Sequence, residues 1–401
     1  MKKGWQTKSL GDVLVKTETN DPTRSPDAEF DYIDVSSISN ETLTIQETQR
    51  LKGKDAPSRA RRHVRTNDVL LATIRPTLRR IAIVPEELDE QICSTGYFVL
   101  RAKPEVDFRF IFYFLQTEVF MAAMEKLQKG ASYPAVTDGD VRSQPIPVPS
   151  LPEQQRIVGL LDEAFEGLAT AQAHAAQNLQ NARDLFESHL NAVFTQRGKG
   201  WRQTMLGEEI DLLAGFAFKS SQYTINEKDI RLLRGDNIIQ GCLRWDDVKR
   251  WPANDITEYK TYWLSEGDVV LAMDRPLVKA GMKYAMMTRD DLPCLLVQRT
   301  ARLRGGENLD NRFLKLLIGS AAFTSHILGV QTGIGVPHIS GQQIKDFLFW
   351  LPSLNEQQRI ADNLDALSAE TQRLTRIYEQ KLAALAALKK SLLHQAFSGE
   401  L

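Results

Sequence analysis

The sequence predicts an α+β protein with two homologous mixed α/β domains, separated by two long helices that pack as an antiparallel coiled coil. Three observations predict this architecture. A 14-residue phrase occurs twice, a long apolar periodicity follows each copy, and strand-like runs fill the segment before each copy. With 401 residues and 42% hydrophobic content, the chain is large enough for two ordinary cores.

The internal repeat is clearest in PSLPEQQRIVGLLD at 149–162, which returns as PSLNEQQRIADNLD at 352–365 with 10 of 14 positions identical. Flanking segments match as well, for example DVLLATIRP at 68–76 with DVVLAMDRP at 268–276. Such a repeat indicates two copies of one building unit. We therefore expect a domain, a long helix, a second domain and a second long helix, at 1–149, 150–198, 199–352 and 353–401.

The segment before each long helix reads as mixed strand and helix. Short apolar or alternating runs bounded by Gly, Pro and Asn-Asp turns predict strands, namely Asp31–Val35, Val69–Ile74, Ile81–Val84 and Tyr97–Leu100, then Val269–Met273, Tyr284–Met287 and Thr300–Leu303. One helix is predicted in each copy, over Phe108–Lys126 and Asn311–Leu328.

The last 45 or so residues of each unit predict one long helix. Ser150 with Glu153, and Ser353 with Glu356, have the spacing of a capping box, and the runs end near Gly198 and Gly399. A helix of this length, roughly 65 Å, cannot bury its apolar stripe on its own small domain. An antiparallel pair is therefore favoured over a helical hairpin inside one globular core.

Composition limits the class of protein. No apolar run reaches membrane-spanning length, and the beginning of the chain lacks the apolar segment of a signal peptide, so we expect a cytoplasmic protein. Cys93, Cys242 and Cys294 show no CxxC spacing. Cys93 and Cys294 fall at equivalent places in the two copies, which favours a buried core position over a metal or redox role.

Local charge points to a nucleic acid although the net charge is only −1. Between Arg50 and Arg80 there are ten basic and two acidic residues, and residues 275–304 hold seven basic residues against two acidic ones. A solvated surface is the ordinary explanation of such runs. Both copies, however, place an Arg-Pro pair and further basic residues in the same predicted loop, which favours a phosphate-facing surface.

The candidate DNA contacts follow from this pattern. Arginine suits bidentate contact with guanine and with phosphate, so the basic residues around the two loops are the first set. A second set lies in the turn before each long helix, at Ser132-Tyr133 and at Gly335 with His338, where a purely structural turn is the favoured interpretation. The candidates are Arg59, Arg61, Arg62, Arg75, Arg79, Arg80, Tyr133, Arg275, Lys279, Lys283 and His338.

Motifs of catalysis are not found in the sequence. There is no methyltransferase glycine motif or Asn/Asp-Pro-Pro-aromatic tetrad, and no Walker loop. The six histidines form no HExxH or Cys/His ligand pattern, so no metal site is predicted. GIGVP at 333–337 lacks the third glycine and the lysine of a phosphate loop, and is predicted to be a turn.

These features resemble the specificity subunit of Type I restriction–modification systems. The resemblance rests on the paired Glu-Gln-Gln-Arg-Ile phrases, the Gly-Trp…Leu-Gly openings at 4–11 and 200–207, the Gly…Pro turns, and the final LLHQAFSGEL. It implies a non-catalytic subunit whose two target recognition domains read the halves of a bipartite DNA site. It also implies helices that set the spacing and dock two methyltransferase subunits, with motor-nuclease subunits completing the complex.

In that family the chain itself holds no cofactor, because S-adenosylmethionine, ATP and Mg are used by the partner subunits. Two alternatives from other classes stay open on the residues alone. One is a nuclease or methyltransferase with an unrecognised centre, and the other is a coiled-coil adaptor that never touches DNA.

Overall fold

The structure is a computed structural model that describes residues 4–195, 198–254, 257–279, 281–333 and 336–401. Its chain divides into two compact units. The first unit comprises residues 1–176 with 379–401, and the second comprises 177–378. Each unit therefore combines one globular segment with half of each long helix, so the units cut across the four segments expected from the sequence.

The first globular segment is mixed α and β. Its elements are β1 (Gln6–Ser9), β2 (Glu29–Ile33), β3 (Gln49–Lys52), β4 (Ala60–His63), β5 (Val69–Ala72), β6 (Ile81–Ile83), β7 (Ile92–Ser94), β8 (Tyr97–Leu100), α1 (Phe108–Phe114), α2 (Glu118–Leu127), α3 (Asp138–Arg142) and β9 (Pro145–Val148). The first long helix, α4, spans Leu151–Thr195.

The second globular segment has the same kinds of element. They are β10 (Arg202–Met205), α5 (Leu206–Glu209), β11 (Ile210–Ala214), β12 (Ile230–Leu233), β13 (Arg250–Trp251), β14 (Val269–Ala272), β15 (Leu277–Val278), β16 (Gly281–Met282), β17 (Tyr284–Met286), β18 (Cys294–Leu296), β19 (Thr300–Gly305), α6 (Asn311–Ile318), α7 (Ala321–Val330), α8 (Gly341–Lys345) and β20 (Leu348–Leu351). The second long helix, α9, spans Leu354–Ser398.

The sheets follow one plan in both units. The first strand pairs antiparallel with the last strand before the long helix, β1 with β9 and β10 with β20. A parallel pair recurs as β2 with β7 and β12 with β18. The buried strand β5 lies between β6 and β8, and its counterpart β14 lies between β17 and β19. The predicted mixed α/β repeat is thereby confirmed.

The predicted single helices are wrong, because each is broken into two. The first helix stops at Phe114, and Thr117 accepts a hydrogen bond from the Phe120 N–H to begin α2. Ser320 does the same for Phe323 at the start of α7. A side-chain oxygen in this position satisfies a free N–H group and starts a new helix, although the apolar periodicity continues across the break.

The two cysteines at matching positions are core residues. Cys93 lies in β7 and Cys294 in β18, and both are fully buried. Burial in an apolar core disfavours the thiolate and raises the pKa of both thiols. The expectation of a shared buried position is confirmed. Cys242 is exposed.

Each unit buries apolar residues from both long helices in its core. In the first unit, Leu161 near the start of α4 and Leu393 near the end of α9 belong to one core with Phe110. In the second unit, Leu190 near the end of α4 and Leu364 near the start of α9 share a cluster. The start of one helix thus packs with the end of the other, which is the antiparallel pairing that the sequence predicts.

An aromatic contact anchors a helix end in each unit. The Phe397 ring of α9 lies 4.8 Å from that of Phe110 and 5.5 Å from that of Phe114, centroid to centroid. The Phe194 ring of α4 lies 5.3 Å from that of Phe313. Phe110 and Phe313 are equivalent residues of the repeat, as are Phe194 and Phe397, so the two helix ends are seated in the same way.

We expect Phe397→Ala to lower the free energy of unfolding by about 3 kcal/mol, the lower end for a truncated core Phe, because the ring is only partly buried. Chemical denaturation of the purified chain would measure the change. Leu388→Ala is the matched control, since Leu388 lies on the same helix and is half exposed. An equal loss in both variants would contradict the anchoring role of Phe397.

Candidate nucleic-acid interface

Two loops of each unit are held together by a backbone hydrogen bond. The Arg-Pro loop (residues 75–76 and 275–276) follows the central strand β5 or β14. The glycine loop (residues 129–135 and 332–338) follows α2 or α7. The N–H of Arg75 donates to the carbonyl oxygen of Pro134, and the N–H of Arg275 donates to that of Pro337, both at 2.7 Å. Equivalent backbone atoms are thus joined in both units.

The Arg-Pro loop holds its arginine in the left-handed region of backbone conformation. The φ angle is 49° at Arg75 and 45° at Arg275. A residue with a side chain is uncommon there, and such strained residues concentrate at binding sites. The same conformation in both copies, at matching positions, marks this loop as a candidate contact surface.

Glycine is required at one position of the other loop. The φ angle is 104° at Gly130 and 99° at Gly333. A Cβ atom at 130 would lie 3.0 Å from the Tyr133 carbonyl oxygen, and one at 333 would lie 2.4 Å from that of Val336. The loop closes through paired backbone hydrogen bonds between residues 129 and 135, and between 332 and 338. Gly335, the candidate turn residue, lies outside the described residues.

In the first unit the two loops present a cation over an aromatic ring. The Arg75 Cζ atom lies 5.4 Å from the centroid of the Tyr133 ring, and the side chain of Tyr133 is 73% exposed. The Nη2 atom of Arg75 donates a hydrogen bond to the Ser132 carbonyl oxygen at 3.3 Å. The ring beneath it orients such an arginine, and the Arg75 side chain as a whole is exposed.

In the second unit the same backbone carries different chemistry. Asp274 precedes Arg275, and its carboxylate lies 2.9 Å from Arg299 Nη1 and 3.4 Å from His338 Nδ1. Val336, 42% exposed, stands where the first unit has Tyr133. Arg275 is exposed and has no ion pair within the described ranges. The exposed surface therefore combines arginine and imidazole around one carboxylate.

Four other candidate arginines of the first unit are engaged within the domain. They lie against acidic side chains or backbone carbonyl groups, so their charge is at least partly used in the fold. Arg61 is 3.5 Å from Asp21, Arg62 is 2.7 Å from Asp138, Arg79 is 2.8 Å from Glu118, and Arg80 donates to the Val35 carbonyl oxygen at 3.0 Å. Arg59 is exposed and unpaired among the described residues.

Arg79 and Lys279 face the long helices of their own units. Arg79 lines a cavity of about 250 Å³ together with Lys389 of α9. Lys279 lines a larger cavity of about 890 Å³ together with Glu187 of α4. Both are predicted to lie in an exposed loop with the Arg-Pro residues. Lys279 is exposed there, whereas Arg79 is only partly exposed.

Lys283 is half buried behind the Arg-Pro loop of the second unit. Burial is the main cause that lowers the pKa of its amine, and the nearby Asp236 opposes this while Arg275 adds to it. A desolvated amine is less available for phosphate than an exposed one. The structure brings Arg75 together with Tyr133, and it places His338 against Asp274, the residue before Arg275. Lys283 is bonded to the Arg-Pro loop through its backbone, because its N–H donates to the Pro276 carbonyl oxygen at 2.7 Å.

Two residues of the second surface, Arg299 and Asp274, are not among the predicted DNA contacts, although Arg299 belongs to the basic run at 275–304. Arg299 has a φ of 66° and a side chain that is 70% exposed, and it lies against Asp274. The signal that could have found Asp274 is a break in the repeat, since DVLLATIRP has Ile74 where DVVLAMDRP has the acid. A charged residue replacing a buried-type one beside a candidate loop indicates a local change of chemistry.

Among the residues that the structure describes, no group of three or more His, Cys, Asp or Glu is arranged to hold a metal ion. No single helix in the described ranges is long and apolar enough to cross a membrane. The helices α6 and α7, which are bent relative to each other by 59°, are long and apolar enough only when they are taken together, and this rests on length and composition alone.

The comparison with protein families identifies the repeated unit. The model of the Type I restriction modification DNA specificity domain matches the chain twice, over residues 2–177 and 199–383. The repeat is therefore a tandem pair of DNA specificity domains. The chain belongs to the family of Type I restriction–modification specificity subunits, as the resemblance in the sequence indicates.

Named relatives and solved structures agree with this assignment. The EcoAI specificity subunit of Escherichia coli is 40% identical over 170 residues, which are 42% of this chain but only 28% of that protein. The MjaVIII specificity subunit of Methanocaldococcus jannaschii is 25% identical over 324 residues, 77% of this chain and 74% of that one.

Two solved chains match the whole length. One comes from a structural study of assembly and conformational transition in the type I R-M system, with 29% identity, a TM-score of 0.83, and coverage of 100% of this chain and 99% of that one. The other is the HsdS subunit from Thermoanaerobacter tengcongensis, with 29% identity, a TM-score of 0.70, and coverage of 100% and 98%.

We expect Gly130→Ala to lower the free energy of unfolding by about 1–3 kcal/mol, because alanine is strained at this positive φ. Gly333→Ala is expected to cost more, since its Cβ would overlap the Val336 carbonyl oxygen. Gly159→Ala is the matched control, because Gly159 lies on α4 with nothing within 4 Å of an added Cβ. Alanine favours a helix, so stability there should rise by up to about 1 kcal/mol. Urea unfolding would measure all three, and an unchanged Gly333→Ala would contradict the loop geometry.

Proposed function

We propose that this chain is the sequence-specific DNA-binding subunit of a Type I restriction–modification complex, and that each globular domain reads one half of a bipartite, asymmetric DNA site. Residues 1–149 and 199–352 would be the two target recognition domains. Residues 150–198 and 353–401 would be the spacer that separates the half-sites. The main support is the loop pair that both units build on one backbone plan, with an exposed arginine at the same strained position and different neighbours.

The chemistry of the two surfaces suits two different half-sequences. In the first unit, Arg75 over Tyr133 offers forked donors for guanine or phosphate. In the second, Arg299 and His338 lie against Asp274 beside the exposed Arg275, and a carboxylate accepts hydrogen bonds from the cytosine amino group. To bind an asymmetric site, two domains with the same backbone structure must carry different side chains at their contact surfaces. These two surfaces differ in this way.

The catalytic steps would belong to partner subunits. In the proposed complex two methyltransferase subunits, which use S-adenosylmethionine, dock on the spacer helices. Motor-nuclease subunits, which use ATP and Mg, would complete the restriction activity in the cytoplasm. This chain would then act without catalysis of its own, by selecting the DNA sequence at which the partners work.

We expect Arg75→Ala and Arg275→Ala each to weaken binding of the cognate duplex by the assembled complex by about 10- to 100-fold, the range for loss of a good bidentate base contact. A base contact should also relax specificity in one half-site only. Loss of a phosphate contact would instead weaken binding to all sequences and reduce the slope of log affinity against log salt by about one. Titrations at several salt concentrations separate these cases.

Two exposed arginines away from the loops serve as controls. Arg24→Ala for the first unit and Arg289→Ala for the second remove equal charge and are expected to leave affinity unchanged. Arg79→Ala and Arg80→Ala should weaken DNA binding less than Arg75→Ala, because both side chains are engaged within the fold. If both loop variants bind like wild type at moderate salt, Arg75 and Arg275 do not contact DNA. If the complex shows no salt-sensitive DNA binding at all, the adaptor alternative is favoured.

The ring and the hydroxyl of Tyr133 can be separated. Tyr133→Phe keeps the ring beneath Arg75 and should retain DNA affinity within a few-fold. Tyr133→Leu removes the cation–π support, worth about 0.5–1 kcal/mol at an exposed site, and should weaken binding by roughly two- to fivefold. Equal loss in both variants would assign the contact to the hydroxyl group instead.

The spacer is expected to act as a ruler. Inserting four residues near Gln177 adds about one helical turn and roughly 6 Å, or about two base pairs at 3.4 Å each. A matching insertion near Gln380 keeps the antiparallel partner in register. The modified complex should methylate the same half-sequences across a longer gap, as sequencing of methylated cellular DNA would show. Methylation at the original gap, or at altered half-sequences, would contradict the ruler role.

A further inference from the structure

A buried glutamine joins the globular segment to the long helix in the first unit. The side chain of Gln154, in the first turn of α4, is fully buried. Its Oε1 accepts a hydrogen bond from the Asp107 N–H at 3.0 Å. Its Nε2 donates to the carbonyl oxygens of Pro149 at 2.9 Å and of Glu105 at 3.5 Å. One side-chain amide therefore bonds the backbone just before α1 and the backbone just before α4.

The second unit repeats this junction atom for atom. Gln357 is also fully buried. Its Oε1 accepts from the Asp310 N–H at 2.8 Å. Its Nε2 donates to the carbonyl oxygens of Asn308 at 2.8 Å and of Pro352 at 2.9 Å. Gln154 and Gln357 are equivalent residues of the repeated phrase, so the phrase encodes a connection between two elements.

The amide group is specifically suited to this place. It supplies one acceptor and two donors in a plane, and all of the partners are backbone groups whose positions are set by the chain. A glutamate would lose the donors, and an alanine would leave the backbone groups without a partner in a buried site, which is unfavourable. The Gln154 and Gln357 side chains therefore fix both distance and direction between the two elements.

An ion pair secures the same two helices further along, about two turns after each glutamine. Arg109 of α1 lies 3.0 Å from Asp162 of α4, and the Tyr113 hydroxyl donates to the same carboxylate. In the second unit Arg312 of α6 lies 2.8 Å from Asp362 and bonds Asp365 as well. Asp162 and Asp365 are again identical positions of the repeated phrase. Two contacts at separate points on a helix prevent it from pivoting about either one.

We propose that Gln154 and Gln357 are positioning residues, which fix the orientation of each recognition domain on its long helix and thereby restrict the DNA gap to one length. This inference rests on the proposed function. Helix length sets the mean separation of the two half-sites. The buried amides limit how far the recognition domains can depart from that separation. A domain that tilts at the junction can reach a half-site displaced by one base pair, which is about 3.4 Å.

The test replaces each glutamine by a residue of similar volume without hydrogen-bonding groups, Gln154→Met and Gln357→Met. The neighbouring Gln155→Met and Gln358→Met are matched controls, because those side chains lie in the same phrase and are exposed. Methylated DNA is sequenced from cells that carry the complete system with each variant. The purified variants are compared with wild type by thermal unfolding.

We expect wild type and both controls to methylate one gap length. In Gln154→Met and Gln357→Met the half-sequences should stay the same, while gaps one base pair longer or shorter reach about a tenth of the methylation at the original gap, the factor expected when one hydrogen-bonded contact is lost. A single unchanged gap, whether or not stability falls, would overturn the positioning role and leave only a structural one.

A second pair of variants keeps the test decisive if the methionine variants do not fold. Asp162→Asn and Asp365→Asn weaken the half-exposed ion pairs without leaving a buried group unbonded, and a smaller broadening of the gap is expected. Retention of the single gap there would also count against the proposal. Failure of the proposed function is a different result, because the wild-type complex would then methylate no bipartite site.

Discussion

The fold depends on burying the apolar faces of two helices of 45 residues each. Such a helix is about 68 Å long, far more than one domain of this size can cover. The chain divides the burial between its two units, so that each unit covers half of both helices. Leu161, Leu393 and Phe110 share one core, and Leu190 and Leu364 share another cluster. The helices are therefore core elements of both units and not appendages of either.

This arrangement explains why one phrase of the sequence is repeated with little change. Its positions meet several demands at once. Gln357 bonds the backbone before α6, Asp365 pairs with Arg312, and Leu364 enters the apolar cluster. Glu356 accepts a hydrogen bond from Trp201 Nε1 at 3.0 Å. A segment with so many partners tolerates little substitution, because a buried polar group that loses its partner costs more than the bond contributes.

The sequence predicts the fold class because the repeat, the helix periodicity and the strand patterns agree with one another. Tyr97–Leu100 is a strand with the predicted bounds, and the other six predicted strands differ from the observed ones by one or two residues at their ends, whereas the remaining strands are not predicted. The breaks at Thr117 and Ser320 were missed because a capping hydroxyl leaves apolar periodicity unchanged. Apolar periodicity predicts which face of a helix is buried, but it does not reveal a single residue at which the helix ends.

The candidate site was harder to predict for a different reason. Charge along the chain can be counted, but its use depends on partners that are remote in sequence. Arg62 and Asp138, bonded at 2.7 Å, are 76 residues apart. Arg79 and Arg80 have the same composition context as Arg75, yet they bond Glu118 and the Val35 carbonyl oxygen. Only the folded chain distinguishes arginines that hold the domain together from those that remain for a ligand.

The loop pair shows how two units can keep one frame and carry different chemistry. The bonds that join the loops use backbone atoms, the N–H of Arg75 to Pro134 and that of Arg275 to Pro337. Backbone groups are the same whichever side chain is present, so Tyr133 can be exchanged for Val336 without losing the frame. The glycines are the exception, since their φ angles strongly disfavour any residue with a side chain. The junction by contrast is held by side chains, Gln154 and Gln357, and cannot vary so freely. Loops that differ between the two units, and a junction that is the same in both, therefore follow from the kind of hydrogen bond that maintains each.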